Sequence, residues 1–279
     1  MNPKTRKYVM QILRLIAIIP MMAFIVLPFL ILISSSLKME GEINSLNPTL
    51  IPNHIIFDNF IELFKNKSFV LSIKNSALIS SLTMVLTLFV SFPAAYIIAR
   101  EKGKTIPVLQ IWTLLSQMIP VITLTVPLYL ILGSLKLTDS FPGLALVYIT
   151  WQIPTTLWLL KVYISSFPTE LEDAARIDGC NTWKMFIKIM LPIILPGVLT
   201  AGIFSLIGAW NEFFFALVFM KSPENILVST KLWAFIGISG QSRDNMLAAA
   251  SLLSCIPGII LFSVFQKYYV SGLTEGAVK

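Results

Sequence analysis

The stretch TIPVLQIWTLLSQMIPVITLTVPLYLILGSL, residues 105–135, decides the fold, because it runs for 31 residues without a charged side chain. An α-helix needs about 20 apolar residues to cross the roughly 30 Å hydrocarbon core of a membrane. Five further uncharged stretches of 21 to 25 residues occur at 15–37, 75–99, 140–160, 189–211 and 245–266. Only 13% of the 279 residues are charged and 56% are hydrophobic. The sequence therefore predicts a polytopic membrane protein and excludes soluble, disordered and disulfide-stapled classes.

The uncharged stretches predict helices rather than strands, because they lack a period of two and exceed the 9–11 residues of a barrel strand. An all-α protein with six transmembrane helices is expected, and the whole chain, residues 1–279, is expected to form one transmembrane domain. Pro120 and Pro127 predict a bend in the third helix. The predicted spans are about 13–35, 75–99, 106–133, 141–162, 193–219 and 246–267.

The basic residues predict the orientation of these spans. If both termini lie in the cytoplasm, 13 of the 21 Lys and Arg residues fall on the cytoplasmic side, which agrees with the positive-inside rule. Basic residues that flank spans also contact anionic lipid headgroups. The net charge of +7 therefore indicates membrane lipid, and no nucleic acid, as a partner.

The predicted cytoplasmic loop 161–192 has apolar residues at helical spacing and predicts two short helices within about 169–190. Thr169 and Glu172 fit a capping box at the start of the first helix. Gly179 is expected to end that helix, because glycine adopts a positive φ without steric cost. Pro192 is expected to end the second helix.

The second predicted helix is expected to start at a cap, either Asn181 or Thr182. It is expected to carry an apolar stripe of Trp183, Phe186, Ile187 and Met190. Two interpretations of the helix pair remain open at this point. The pair could lie on the lipid surface, or it could dock into a groove of a partner protein. The alanines and carboxylates of the first helix favour the partner protein.

The same loop resembles that of importer permeases of the ATP-binding-cassette (ABC) class. These permeases carry E-A-A, three residues, G, nine residues and then I-x-L-P. Here Asp173-Ala174-Ala175, Gly179, Ile189 and Leu191-Pro192 fit that spacing. The one departure is Asp173 in place of Glu, directly after Glu172. The likeness runs along nearly the whole chain and is strongest to the carbohydrate branch, specifically to the second maltose-type permease.

The resemblance implies the six-helix architecture of type I ABC importer permeases and three sets of functional residues. The predicted ATPase-coupling residues are Glu172, Asp173, Ala174, Ala175, Asp178, Gly179, Leu191 and Pro192. The C-terminal tail, with Gly272, Thr274 and Gly276, resembles tails that touch the ATPase pair. Trp210, Asn211 and Glu212 resemble the family's fifth-span signature and are predicted to lie at the translocation path or gate.

Glu212 has a physical argument of its own, because it follows 23 uncharged residues. A charge at membrane depth costs about 2.5–3.5 kcal/mol and should face a partner or a wet cavity. The alternative is a residue near the outer end of the span that reaches interfacial water or pairs with Asn211 and Trp210.

The implied function is that of a membrane subunit of an ATP-driven importer of di- or oligosaccharides. The implied partners are a second homologous permease in a heterodimer, two ATPase domains and an extracytoplasmic solute-binding protein. ATP and Mg would be used by the ATPase, and this chain, in a bacterial cytoplasmic membrane, would be no enzyme and hold no cofactor or metal. The alternative is a secondary transporter or channel subunit that works without ATP. Few carboxylates within the spans argue against proton coupling, and the single histidine, His54, excludes a histidine-rich metal site.

Overall fold

A computed structural model describes residues 3–45, 49–236 and 243–277, with the backbone alone at 3–9, 11–13, 17, 261–262 and 265–277. Within these residues the secondary structure is entirely helical. The helices are α1 (Pro3–Ser36), α2 (Glu40–Ile43), α3 (Asp58–Lys65), α4 (Lys67–Arg100), α5 (Thr105–Ser116), α6 (Val121–Ser134), α7 (Phe141–Ser166), α8 (Thr169–Ile177), α9 (Thr182–Met185), α10 (Leu191–Asn211), α11 (Phe214–Phe219), α12 (Val228–Trp233) and α13 (Asp244–Ala277). A π-helical turn, Phe186–Met190, joins α9 to α10.

Several of these helices are long and apolar enough to cross a membrane, as the sequence predicts. Four qualify individually, and the α5–α6 pair adds a fifth if it counts as one span. The last helix, α13, is apolar over Asp244–Ile260 within the described side chains. The four single helices are Arg14–Ser36, Lys67–Arg100, Phe141–Ser166 and Thr182–Asn211.

The predicted bend in the third span is confirmed. The axes of α5 and α6 meet at 100°, and Pro120, with φ −62° and ψ 133°, precedes the first residue of α6. Proline lacks an N–H donor and disfavours helical geometry at the residue before it, so the chain breaks there. Next to the break, Gln117 Nε2 donates to Thr155 Oγ1 at 2.6 Å. Pro127 lies inside α6 without interrupting it, so Pro120 alone marks the bend.

The helical segment at the predicted fifth span, 193–219, has different bounds, Thr182–Asn211. The helical segment begins at Thr182 and continues through Pro192, which therefore does not end it. The π turn just before Pro192 accommodates the proline in the helix, since the hydrogen bond shifts there and the N–H of Leu191 donates to the Phe186 carbonyl. At the other end α10 stops at Asn211, and a separate short helix, α11, follows.

Contacts divide the described chain into two compact units. In the first, the amide of Asn59 links three segments, because Nδ2 donates to the carbonyls of Ser36 (2.8 Å) and Lys38 (3.0 Å). Its Oδ1 accepts from Asn245 Nδ2 at 2.8 Å. The first unit comprises the described residues of 1–67 and 232–255, and the second those of 68–231 and 256–279.

Within the second unit, α7 and α10 pack closely because glycines on α10 face large side chains on α7. A Cβ atom at Gly197 would lie 2.1 Å from Cγ of Tyr163, and one at Gly208 would lie 2.2 Å from Nε2 of Gln152. Small residues of this kind let helix backbones approach in membranes. Leu160, Ile164 and other apolar residues of α7 continue this core toward α8 and the π turn.

The turn between α6 and α7 is fixed by Asp139, which adopts a positive φ of 51°. Burial alone would raise the pKa of the Asp139 carboxyl, but hydrogen bonds from the Ser222 hydroxyl and from the N–H groups of Lys221 and Ser222 lower it to about 2. Asn225 Nδ2 also donates to the Asp139 carbonyl at 2.7 Å. The turn is thereby tied to the segment after α11.

Gly197→Ala is expected to destabilise the protein by about 1–3 kcal/mol, because the added methyl overlaps the Tyr163 ring. Thermal unfolding of the detergent-solubilised protein measures the effect as a lower Tm. Gly258→Ala is the matched control, because no atom lies within 4 Å of its added Cβ. Equal melting temperatures for the two variants would contradict the close approach of α7 and α10.

Candidate functional site

The loop between α7 and α10 holds most of the predicted site residues, and its turn matches the prediction for Gly179. Gly179 has a positive φ of 76°. Its N–H donates to the Arg176 carbonyl at 3.0 Å, and the N–H of Cys180 donates to the Ala175 carbonyl at 2.9 Å. These two bonds form a Schellman motif, which ends α8 and satisfies its last carbonyls.

The caps of the two loop helices have different outcomes. The cap of the second helix is confirmed at Asn181, whose Oδ1 accepts from the N–H of Lys184 at 2.9 Å. The predicted capping box at Thr169 is wrong. Thr169 is already the first residue of α8, Pro168 occupies the N-cap position, and no side chain caps this end. The carboxylate of Glu172 is engaged elsewhere.

Glu172 is buried and binds the end of α4 instead. Its Oε1 lies 2.7 Å from Arg100 Nε and 2.6 Å from Arg100 Nη2. Its Oε2 accepts from the Tyr96 hydroxyl at 2.8 Å. Arg100 Nη2 also donates to the Phe167 carbonyl at 2.8 Å, just before α8. Glu172 therefore holds the loop against α4, and its carboxylate does not face outward from the loop.

Sequence reasoning missed Arg100 because it lies 72 residues before Glu172. One signal was available in the sequence. Arg100 is the first charge after the 25 uncharged residues 75–99, so it marks the end of a span. A loop on the same side of the membrane can pack against a residue at that position.

Phe186 provides a second attachment of the loop, through aromatic packing. Its ring contacts Tyr96 at 4.6 Å and Phe92 at 5.5 Å between centroids, both edge to face. Trp183 packs on its other side at 6.2 Å. The predicted apolar stripe of the second helix is therefore split, since Phe186 is buried whereas Trp183 and Ile187 are exposed.

The outward surface of the loop, which we call the docking face, combines exposed apolar, acidic and basic side chains. Ile177 is 86% exposed and Trp183 is 62% exposed. The predicted site residues divide between this surface and the interior. Asp173, Ala174, Asp178, Gly179 and Pro192 are exposed, Leu191 is half-buried, and Glu172 and Ala175 are buried.

Glu212 lies between α10 and α11 and caps α11. Its carboxylate accepts from the N–H groups of Phe215 (3.0 Å) and Ala216 (3.2 Å). A carboxylate at this end also complements the helix dipole. Beside it, Trp210 is half-buried and Asn211 is exposed. The geometry accounts for the charge as a cap, and a role in the translocation path stays a prediction.

The predicted tail residues belong to the end of α13, which continues to Ala277. The side chain of Thr274, like those of its neighbours, lies outside the described residues. A contact of Gly272, Thr274 and Gly276 with an ATPase therefore stays a prediction.

Residues 91–275 of the chain match the model of a family described as the inner membrane component of binding-protein-dependent transport systems. The chain belongs to this family. It is an ABC transporter permease, which is a membrane subunit without enzymatic activity of its own. The matched region includes Arg100, the whole loop and Glu212.

Named relatives cover nearly the whole permease. It is 34% identical over 257 residues to the trehalose transport permease SugB of Mycobacterium tuberculosis, and the aligned region covers 92% of this chain and 93% of the relative. It is 32% identical over 271 residues to the trehalose/maltose transport permease MalG of Thermococcus litoralis, which covers 96% and 97% of the two chains.

A crystal structure shows the same fold. A chain of a bacterial ABC transporter involved in alginate import superposes with a TM-score of 0.81, at 21% identity, over 96% of this chain and 99% of that chain. The similarity confirms the permease fold.

Glu212→Ala is expected to lose the α11 cap, at a cost of about 1 kcal/mol, and to lower transport. Glu212→Gln keeps one oxygen for the Phe215 and Ala216 N–H groups and removes the charge. If Glu212 acts only as the cap of α11, the Glu212→Gln variant transports close to wild type in reconstituted vesicles. Transport as low in Glu212→Gln as in Glu212→Ala would instead assign the function to the charge.

Proposed function

We propose that this permease is the membrane-spanning subunit of an ATP-driven sugar importer. The observation that carries the proposal is the docking face, whose exposed Ile177 and Trp183 lie on a loop that is fixed to the core through Glu172 and Phe186. Large exposed apolar side chains on a rigid, polar-rimmed surface mark a protein interface. The exposed charges of the loop balance, so it carries no excess of positive charge to bind an anionic lipid surface; they are Glu170, Asp173, Asp178, Arg176, Lys184 and Lys188.

The proposed partner at the docking face is an ABC ATPase subunit, which binds ATP and Mg. A complete importer would contain two ATPase domains, a second homologous permease and an extracytoplasmic solute-binding protein. The relatives named for trehalose and for trehalose/maltose transport support a di- or oligosaccharide as the substrate. ATP-driven closure of the ATPase pair would favour one of two permease states through different contacts with the loop.

The proposed topology has six spans in the cytoplasmic membrane, with both termini and the docking face inside. In this arrangement α13 is the sixth span and the bent α5–α6 pair is the third. The positive-inside bias of the basic residues supports this orientation.

Cysteine labelling in intact cells tests the topology. Lys102 and Lys136 are both exposed, and they lie at opposite ends of the α5–α6 pair. With the two native cysteines replaced by serine, Lys136→Cys is expected to react with a membrane-impermeant maleimide and Lys102→Cys only after permeabilisation. The reverse labelling pattern would contradict the proposed topology.

Gly179→Val is expected to reach the membrane normally but to bind the ATPase weakly and to lose most sugar uptake. No atom lies within 4 Å of an added Cβ, so the strain comes only from the positive φ. That conformation costs a β-branched residue about 1–2 kcal/mol, and rebuilding the turn would change the angle between α8 and α9.

Gly179→Asn is the matched control, because asparagine tolerates the left-handed conformation. It should retain ATPase binding and uptake better than the valine variant. Lys184→Ala, which changes an exposed side chain outside the predicted apolar stripe of the second helix, should stay near wild type. Wild-type uptake by Gly179→Val in reconstituted vesicles would contradict a coupling role for the loop.

A further inference from the structure

We infer that the partly buried Arg100–Glu172 pair links the loop between α7 and α10 to α4, and that α4 carries displacements of this loop to the segment 224–228 at its other end. In this inference Arg100 is a positioning residue for transport. The inference rests on the proposed function, because the displacement originates in an ATPase bound to the docking face.

At the loop end, the link is close and shielded from water. The side chain of Arg100 is 17% exposed and that of Glu172 is 5% exposed. Both carboxylate oxygens of Glu172 are engaged, one by the guanidinium and the other by the Tyr96 hydroxyl. Since the same guanidinium also holds the Phe167 carbonyl, it fixes both the start of α8 and its first turn. Movement of α8 without α4 would therefore break several hydrogen bonds together.

At the opposite end of α4, a second group of hydrogen bonds ties the helix to a different segment. The amide Nδ2 of Asn75 donates to the carbonyls of Glu224 (2.7 Å) and Ile226 (3.1 Å). The hydroxyl of Ser76 accepts from the N–H of Val228 at 2.9 Å. Asn75 and Ser76 are buried, with exposures of 7% and 1%.

Between these two attachments α4 is one uninterrupted helix, Lys67–Arg100. A rise of 1.5 Å per residue places Asn75 about 38 Å from Arg100 along the axis, which is enough to span the hydrocarbon layer. Pro93 lies inside α4 without interrupting the helix. Since both ends of this one helix are held by hydrogen bonds, a shift imposed at Arg100 is passed along α4 to the segment 224–228.

The test uses the complete importer, purified through a tag on this chain and reconstituted in vesicles. Cys180→Ser, Cys255→Ser and Glu224→Cys leave one thiol in this chain, and its labelling is measured on this subunit after the subunits are separated. The side chain of Glu224 is exposed. The labelling rate of this thiol is compared without nucleotide and after trapping with ATP and vanadate. This readout requires no knowledge of the sugar. ATP hydrolysis is measured on the same samples.

In the unmodified background, trapping is expected to change the labelling rate. Arg100→Met is expected to reduce this change by about five-fold or more, the scale of a typical coupling free energy, while ATP hydrolysis continues. Lys102→Met is the matched control, since it removes the same charge two residues further on, at an exposed position. The exchanged pair, Arg100→Glu with Glu172→Arg, is expected to restore part of the change.

The outcomes separate this inference from the proposed function. A full ATP-dependent labelling change in Arg100→Met, with an intact complex, would overturn the inference alone. If Arg100→Met does not assemble with its partners, the exchanged pair is tested instead. An exchanged pair that assembles and shows the labelling change supports the inference. An exchanged pair that does not assemble, or that assembles without the labelling change, counts against the inference. A wild-type complex that neither binds an ATPase nor responds to ATP would contradict the proposed function and this inference together.

Discussion

Backbone polar groups cannot be left unpaired in hydrocarbon, and this constraint shapes each irregular point of the permease. The described spans are interrupted where a side chain or a changed hydrogen-bond register compensates. At the break before Pro120, the N–H groups of Gln117 and Met118 donate to the carbonyls of Leu114 and Leu115. The π turn pairs the N–H of Leu191 with a carbonyl five residues back. After α10, the carboxylate of Glu212 takes the first free N–H groups of α11. At each of these interruptions, backbone groups that lose their usual helical partner find another one.

The loop between α7 and α10 depends instead on charge, because it holds the Arg100–Glu172 ion pair largely away from water. Removing one partner of a buried ion pair typically costs about 3–5 kcal/mol, since the other charge is left uncompensated. The Arg100–Glu172 pair is therefore less a source of stability than a constraint on where α8 lies. Phe186 adds an apolar constraint on the second helix. With both helices fixed from within, the residues left outside are free to bind a partner.

Local signals allowed much of this arrangement to be predicted. The spans follow from long uncharged stretches, the bend from Pro120, and the turn of the loop from Gly179 and Asn181. The errors have two causes, a distant partner in one case and a local change of hydrogen-bond register in the other. Thr169 and Glu172 have the spacing of a capping box, yet an ion pair with Arg100, 72 residues away, takes the carboxylate. Pro192 has the local signature of a helix end, but a π turn places it where a proline is tolerated.

The contact between α7 and α10 constrains how this protein can evolve. Gly197 and Gly208 are 11 residues apart, close to three helical turns, so they lie on one face of α10. Each is matched to one bulky side chain, Tyr163 or Gln152, which fills the space of the missing Cβ. A larger residue at 197 requires a smaller one at 163 to preserve the distance between the helices. Positions 163 and 197, and likewise 152 and 208, should therefore change as pairs during divergence, so that each substitution is neutral only in the presence of its counterpart.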